Sequence, residues 1–140
     1  MKNRNLLMIP GPIEFEPAVL AAMGAPTTSH VAPNFIETFG QALERMRQVF
    51  LAPDGQPFII AGTGTLAMDT TAANPVETGV QVLVVNTGYF GDRMGDFLTR
   101  YGARVTHVRA PVGDRPLLED VETALSAGQF KAVFVTHVDT

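Results

Sequence analysis

Short apolar runs alternate with amphipathic segments through the second half of this sequence, and that alternation limits the folds open to it. The run Val80–Asn86 (VQVLVVN) is almost continuously apolar, which is typical of a strand buried on both faces. Arg104–Arg109 and Ala132–Thr136 predict two further strands, while residues 90–101 and 116–127 have apolar side chains at helical spacing. Strands that alternate with helices form right-handed βαβ units. The sequence therefore predicts an α/β fold with a mostly parallel sheet.

The first half of the chain is predicted to begin as an arm, because Pro10-Gly11-Pro12 can continue neither a helix nor a central strand. Pro17–Met23 predicts a short helix, and Asn34–Leu51 predicts a longer one with a single apolar stripe. Pro57–Ala61 (PFIIA) predicts a short buried strand, and a helix over residues 64–74 is expected to follow it.

The composition narrows the function classes. Of the 140 residues 46% are apolar, so a core can be buried, and the net charge of −4 argues against nucleic acid or an anionic membrane as the main partner. No cysteine is present, which excludes disulfides and thiolate metal sites. The N-terminal apolar run is too short for a secretory signal, and no run reaches the roughly 18–20 residues of a membrane span. The sequence therefore predicts an intracellular, cytoplasmic protein.

Three short segments follow predicted strands directly: Gly62–Thr65, Asn86–Gly91 and His137–Thr140. Ligands of parallel sheets bind outside the carboxyl ends of the strands, so all three segments could line one crevice. In the first segment, glycine lets backbone N–H groups approach an anion, and the helix start adds unpaired donors. The hydroxyls of Thr63 and Thr65 are further donors, so this segment suits a phosphate. An ordinary tight turn is the alternative.

The same turn has a second interpretation. Gly62, Gly64 and Ala67 match a G-x-G-x-x-A dinucleotide pattern, which would make the protein an NAD(P)-dependent oxidoreductase. Two details weaken that alternative. The next predicted strand ends in Asn86, where a carboxylate for the ribose is expected, and the pattern follows a long arm and a helix instead of opening the fold.

The second and third segments contain aromatic and polar side chains. Tyr89 or Phe90 could stack on a planar ring held at the phosphate turn, or the pair could simply fill the core. Asp92 and Arg93 are interpreted as a charge pair at a helix start. His137 lies close to a carboxylate, yet no third ligand has recognisable spacing, so a metal site is not predicted. His107, within a strand, is expected to be structural.

Taken together and in order, these motifs resemble class V pyridoxal-phosphate (PLP) aminotransferases of the alanine–glyoxylate and serine–glyoxylate kind, which have fold type I. The resemblance covers essentially the whole chain. The matching segments are Pro10-Gly11-Pro12, Ser29-His30, Gly62-Thr63-Gly64-Thr65, Thr87–Arg93 and Thr136-His137-Val138-Asp139-Thr140.

The resemblance implies a site for PLP. Thr63, Gly64 and Thr65 would hold the cofactor phosphate, and Phe90 would stack on the pyridine ring. Thr140 would form a hydrogen bond near the phenolic oxygen of the ring. The implied fold is the three-layer, mostly parallel sheet of fold-type-I transferases, with an incomplete large domain.

The resemblance also implies substrates and a partner. Gly11 and its neighbours would border a pocket for an amino acid and a 2-oxo acid, and His30 would be a second substrate-binding residue. The loop of His30 would also lie near the interface of a homodimer. Residues 1–33 would form the N-terminal arm with a substrate and interface loop. Residues 34–140 would form the first part of the large PLP-binding domain. The implied reaction is transamination from alanine or serine to glyoxylate.

One expected residue has no counterpart. The family forms its internal aldimine through a lysine, but this chain has only Lys2, in the arm, and Lys131, at the end of a strand opposite the crevice. The lysine is therefore expected beyond Thr140, and the chain is expected to be an inactive fragment of a longer enzyme. A lyase or desulfurase of the same fold and a non-catalytic interaction domain stay open as alternatives.

Overall fold

The computed structural model describes residues 5–9 and 11–139. Five α-helices and three β-strands follow one another along this part of the chain. They are α1 (Pro17–Met23), α2 (Pro33–Val49), α3 (Gly64–Ala73), β1 (Gln81–Asn86), α4 (Tyr89–Arg100), β2 (Arg104–Arg109), α5 (Leu118–Ser126) and β3 (Ala132–Val135).

The three strands form one parallel sheet, and β1 lies between β2 and β3. Val82 of β1 is opposite Val105 of β2 and Ala132 of β3, and both pairings run parallel. Each neighbour in the sheet follows a helix in the sequence, as βαβ connectivity requires. The α/β fold with a parallel sheet is therefore confirmed.

The core lies around β1 and α4. Val82, Leu83 and Val84 are fully buried, which confirms that β1 is covered on both faces. Amphipathic helix α4 contributes Phe97 and Leu98 to the same core. The remaining core members are Ala72, Met94 and Ala103.

One predicted strand is wrong. Residues 57–61 adopt no regular structure, and Phe58, Ile59 and Ile60 are exposed. An apolar run becomes a strand only when a neighbour accepts its backbone hydrogen bonds. The described residues supply no such neighbour for this run.

The chain divides into two compact units. Residues 13–61, with α1 and α2, form one unit, and residues 62–139 with the described part of 5–12 form the other. The division expected at residue 33, between an arm and a large domain, stays a prediction. Within residues 5–9 and 11–139, no helix combines the length and apolar character that crossing a membrane requires.

Candidate functional site

The carboxyl ends of β1 and β3 open on a cavity of about 800 Å³ in the unit that contains the sheet. The three segments singled out in the sequence all contribute to its wall, although only the second and third of them follow a strand. The lining residues are Ile9, Gly11, Thr63, Gly64, Thr65, Met68, Tyr89, Phe90, Thr136, His137 and Val138.

The turn before α3 presents donors to this cavity. The Thr63 hydroxyl caps α3 by accepting from the N–H of Leu66 at 3.1 Å, and it lies 2.8 Å from the hydroxyl of Thr65. Backbone N–H groups in the first turn of a helix have no intrahelical acceptor, and the helix dipole is positive there. Two hydroxyls and these N–H groups suit an anion such as phosphate.

The glycines of this turn have different roles. A Cβ at Gly62 would lie 2.3 Å from Cδ2 of Leu66, so glycine is needed there for packing. A Cβ at Gly64 would have no heavy atom of the described residues within 4 Å. Gly64 lines the cavity at the start of α3, and packing does not require glycine there.

The aromatic pair opens α4 and lines the same cavity. The rings of Tyr89 and Phe90 meet edge to face, with centroids 5.1 Å apart. Tyr89 is 58% exposed and Phe90 is partly buried, and both rings line the cavity. The residues of α4 that pack in the core lie one and two turns later, so Tyr89 and Phe90 are not core residues. Which ring stacks on a ligand stays a prediction.

Two polar residues hold the aromatic turn in place, and the sequence analysis gave neither this role. Asp139 accepts hydrogen bonds from the backbone N–H of Phe90 at 2.6 Å and of Gly91 at 2.8 Å. Asn86 is buried, and its side-chain oxygen accepts from the N–H of Gly88 at 3.1 Å. An Asn at a strand end two residues before a glycine is a recognisable sequence signal for such a turn.

The charges near this turn are arranged differently from the prediction. Asp92 does not pair with Arg93, since it bonds to Arg109 at 2.6 Å and to the Asn86 amide at 2.9 Å. These hydrogen bonds, that of Arg109 first, lower the pKa of Asp92 below its usual value. The Arg93 guanidinium instead lies 5.3 Å from the ring centre of Phe97. Asp92 of α4 thus pairs with a residue of β2 in preference to its neighbour in sequence, and Arg93 contacts a ring one turn later in its own helix.

His107 lies against α4. Its Nδ1 is 3.1 Å from the Asn86 amide nitrogen, and a Cβ on Gly95 would come within 2.5 Å of its ring. Burial lowers the pKa of His107. The imidazole therefore fills space between strand and helix, as the structural role expected for it requires.

The other candidate residues are separated. His30 belongs to the unit of residues 13–61 and is exposed, so its role near a substrate stays a prediction. Thr140, Pro10 and Lys2 lie outside the described residues. Lys131 precedes β3, at the end of the strand away from the cavity, and pairs with Glu77 at 3.1 Å.

A second cavity is poorer in polar side chains. In the unit of residues 13–61, a cavity of about 310 Å³ lies beside the end of α2, but its one charged side chain, Arg47, is bound to the Gly55 carbonyl and to Glu44. Among residues 5–9 and 11–139, no three His, Asp or Glu side chains converge as metal ligands would.

Known proteins are similar to this chain in both sequence and fold. The chain is 42% identical to alanine–glyoxylate aminotransferase 1 of Saccharomyces cerevisiae, over 99% of its own length and 38% of that protein. Its fold matches alanine–glyoxylate aminotransferase from Nostoc sp. with a TM-score of 0.81 and 33% identity, over 97% of this chain and 38% of that one. Ureidoglycine–glyoxylate aminotransferase from Bacillus subtilis matches with a TM-score of 0.83 and 26% identity, over 99% and 37%.

The chain thus spans a little over a third of the length of the relatives it matches. No protein-family model matches it. These relatives are aminotransferases, which counts against the dinucleotide-binding alternative, and Asn86 is already engaged by its own turn where a ribose-binding carboxylate would be needed. The sequence and the fold together match a little over a third of the length of class V aminotransferases of the alanine–glyoxylate kind, as an N-terminal part of such an enzyme would.

Proposed function

We propose that the complete gene product is a PLP-dependent aminotransferase that transfers the amino group of alanine or serine to glyoxylate. The observation that supports this most is the cavity of about 800 Å³, which collects the phosphate-type turn, the aromatic pair and Gly11. The relatives' names supply the substrate class, since two are alanine–glyoxylate and one is ureidoglycine–glyoxylate aminotransferases.

The cavity residues fit the cofactor by their chemistry. The hydroxyls of Thr63 and Thr65 and the N–H groups at the start of α3 would bind its phosphate, beside Gly64. Phe90 would stack on its planar ring. Bound PLP supplies the electron sink for amino transfer. These side chains bind and orient it, and the apolar wall of Ile9 and Met68 would exclude water.

The remaining roles extend the proposal. Thr140 would donate a hydrogen bond near the phenolic oxygen of the ring, and Gly11 would border the substrate, with His30 near it in the assembled enzyme. Lys131 is held by Glu77 at the wrong end of β3, so the lysine that binds the cofactor is expected elsewhere in the complete gene product. An intracellular location stays a prediction.

The proposed assembly is a homodimer. Many large apolar side chains of residues 13–61 are exposed, among them Phe50 and Phe58, and obligate dimers bury surfaces of this kind. Sedimentation equilibrium of the complete gene product should give twice the monomer mass. A monomer at micromolar concentration would contradict this part of the proposal.

Activity is tested directly. The complete gene product, supplied with PLP, alanine and glyoxylate, should form pyruvate and glycine, while residues 1–140 alone should not. Steady turnover by the 140-residue chain would mean that its own residues suffice. Binding of NADH instead of PLP would favour the dinucleotide alternative.

The phosphate turn is tested by Thr65→Val. Removing a hydroxyl donor to a dianion costs about 1.5–3 kcal/mol, so PLP should dissociate about tenfold more readily or worse. Thr71→Val is the matched control, because the Thr71 hydroxyl bonds to the Ala67 carbonyl within the same helix and does not line the cavity. Equal cofactor affinity in both variants would place the phosphate elsewhere.

A further inference from the structure

Helix α4 begins without a cap of its own. Its N-cap residue is Gly88, which has no side chain to accept the first-turn N–H groups. The same turn carries Tyr89 and Phe90, whose rings line the cavity. Uncapped helix ends fray, so rings placed there keep a fixed direction only if another group holds the turn.

Asp139 is that group. One carboxylate oxygen, Oδ1, accepts the N–H of Phe90 at 2.6 Å, and the other, Oδ2, accepts the N–H of Gly91 at 2.8 Å. The side chain thus replaces the cap that Gly88 cannot supply. A negative charge is also favoured at the positive end of the helix dipole.

The sheet explains how a residue so distant in sequence reaches this turn. β1 and β3 are parallel neighbours, with Val85 opposite Val135, so the segments that follow them leave the sheet side by side. Gly91 provides the room, because a Cβ at that position would lie 3.0 Å from Oδ2 of Asp139 and 2.6 Å from Oδ1 of Asn86.

The carboxylate therefore joins two walls of the cavity. Thr136, His137 and Val138, which directly precede Asp139, line the cavity together with Phe90. We propose that Asp139 is a positioning residue, which fixes the Phe90 ring on the cavity wall by binding the turn beneath it. The use of that ring to stack on PLP rests on the proposed function, but its position can be measured without any cofactor.

The first experiment uses the 140-residue chain and NMR. Asp139→Asn replaces one acceptor oxygen by an NH₂ group, which faces a backbone donor. Amide hydrogen exchange at Phe90 and Gly91 should accelerate about tenfold or more, since charge-assisted bonds are lost. Nuclear Overhauser contacts between the Phe90 ring and the other cavity-lining side chains should weaken.

Asp92→Asn is the matched control. It removes a carboxylate from the first turn of the same helix, but one that bonds to Arg109 and Asn86 instead of to the turn's N–H groups. Its stability should fall, while exchange at Phe90 and Gly91 and the contacts of the Phe90 ring should stay as in the wild type.

The second experiment uses the complete gene product with PLP. Asp139→Asn should weaken cofactor binding about tenfold and change the circular dichroism of the bound cofactor, and Asp92→Asn should do neither. If Asp139→Asn only lowers the melting temperature, with ring contacts and cofactor dichroism unchanged, Asp139 is a stabilising residue and the proposal is wrong.

Two further outcomes are separated by design. If the wild type binds no PLP, the proposed function fails, and the exchange and ring contacts still decide whether Asp139 positions Phe90. If the Asp139→Asn variant does not fold, the Asp139→Glu variant is used in its place. The glutamate keeps the negative charge but moves the carboxylate oxygens by one methylene. Positioning then predicts a folded protein with a displaced ring, and wild-type ring contacts would overturn it.

Discussion

Helices α2 and α4 are both amphipathic, but they differ in how far their apolar faces are buried. Both have apolar residues on one face, yet α4 buries Met94, Phe97 and Leu98, whereas no residue of α2 is buried. In α2 the rings of Phe35 and Phe39 stack on each other at 5.7 Å. The difference shows that apolar periodicity identifies the face of a helix that needs a cover, but not what covers it.

The contrast extends to the two units. The buried side chains of the sheet unit surround β1, which has a helix and two strands against it. In residues 13–61 no side chain is buried. The free energy of unfolding of this chain should therefore depend mainly on the sheet unit, since buried apolar area is the dominant stabilising term.

The largest effect is expected from a matched pair of leucine truncations. Leu98 is 0% exposed and Leu20, in α1, is 53% exposed. Leu98→Ala should cost about 2–5 kcal/mol, because it leaves a cavity in the core. Leu20→Ala should cost less than about 1 kcal/mol. Urea denaturation of both variants measures the difference.

The same two variants also test whether α1 is buried in the complete gene product. Equal costs for Leu98→Ala and Leu20→Ala in the 140-residue chain would contradict the contrast. A cost for Leu20→Ala that rises only in the complete gene product would show that other residues or a second subunit bury α1 there.

The next test uses glycines in the two helices and predicts effects of opposite sign. A Cβ at Gly95 of α4 would lie 2.5 Å from the His107 ring, so Gly95→Ala should cost about 1–3 kcal/mol by overpacking. A Cβ at Gly40 of α2 meets no described heavy atom within 4 Å, and Gly40→Ala should stabilise the helix by about 0.5–1 kcal/mol. Thermal unfolding gives both signs, and a destabilising Gly40→Ala would mean that α2 is covered.

A smaller test concerns the helix starts. α3 begins with Thr63, whose hydroxyl accepts the N–H of Leu66, whereas α2 begins after Ala32, which has no capping side chain. Thr63→Ala should therefore cost about 1 kcal/mol, and Ala32→Ser should contribute a stabilisation of up to about 1 kcal/mol. Circular dichroism on heating measures both. A neutral Thr63→Ala would mean that the cap is not formed in solution.

The sequence was sufficient where local pattern and fold agree. The strand of residues 104–109 and the helix of residues 17–23 have the predicted bounds, and the three segments singled out in the sequence do line one cavity. Parallel strands place their carboxyl ends together, so the order of the strands predicts that the segments after β1 and β3 meet. The first segment joins them although the strand predicted before it is absent. The chemical roles within the cavity stay predictions until they are tested.

The prediction failed where the outcome depends on a partner distant in sequence. The run of residues 57–61 has strand-like side chains but no neighbouring strand in the described residues. Asp92 was assigned to Arg93 beside it, and its partner is Arg109 on β2. The sequence shows Asp139 only as a carboxylate near a histidine, because the N–H groups that donate to it lie 49 and 48 residues earlier.

The smallest expected effect is a pH dependence that belongs to the well-packed unit. Burial lowers the pKa of His107, helped by the charge of Arg109, while Asp92 and Asp96 oppose the shift. The unfolded chain therefore binds a proton near the ordinary value of 6.5, before the folded protein does. Stability from this group is complete above that pH and is lost as the pH falls below it, towards the lower folded pKa. Asp92 differs from His107, because its contribution to the free energy of unfolding is lost only as the pH falls below 3.8. His107→Gln should flatten the slope of unfolding free energy as the pH falls below 6.5, measured by urea denaturation at a series of pH values. An unchanged slope in His107→Gln would mean that the packing of His107 has no measurable electrostatic consequence.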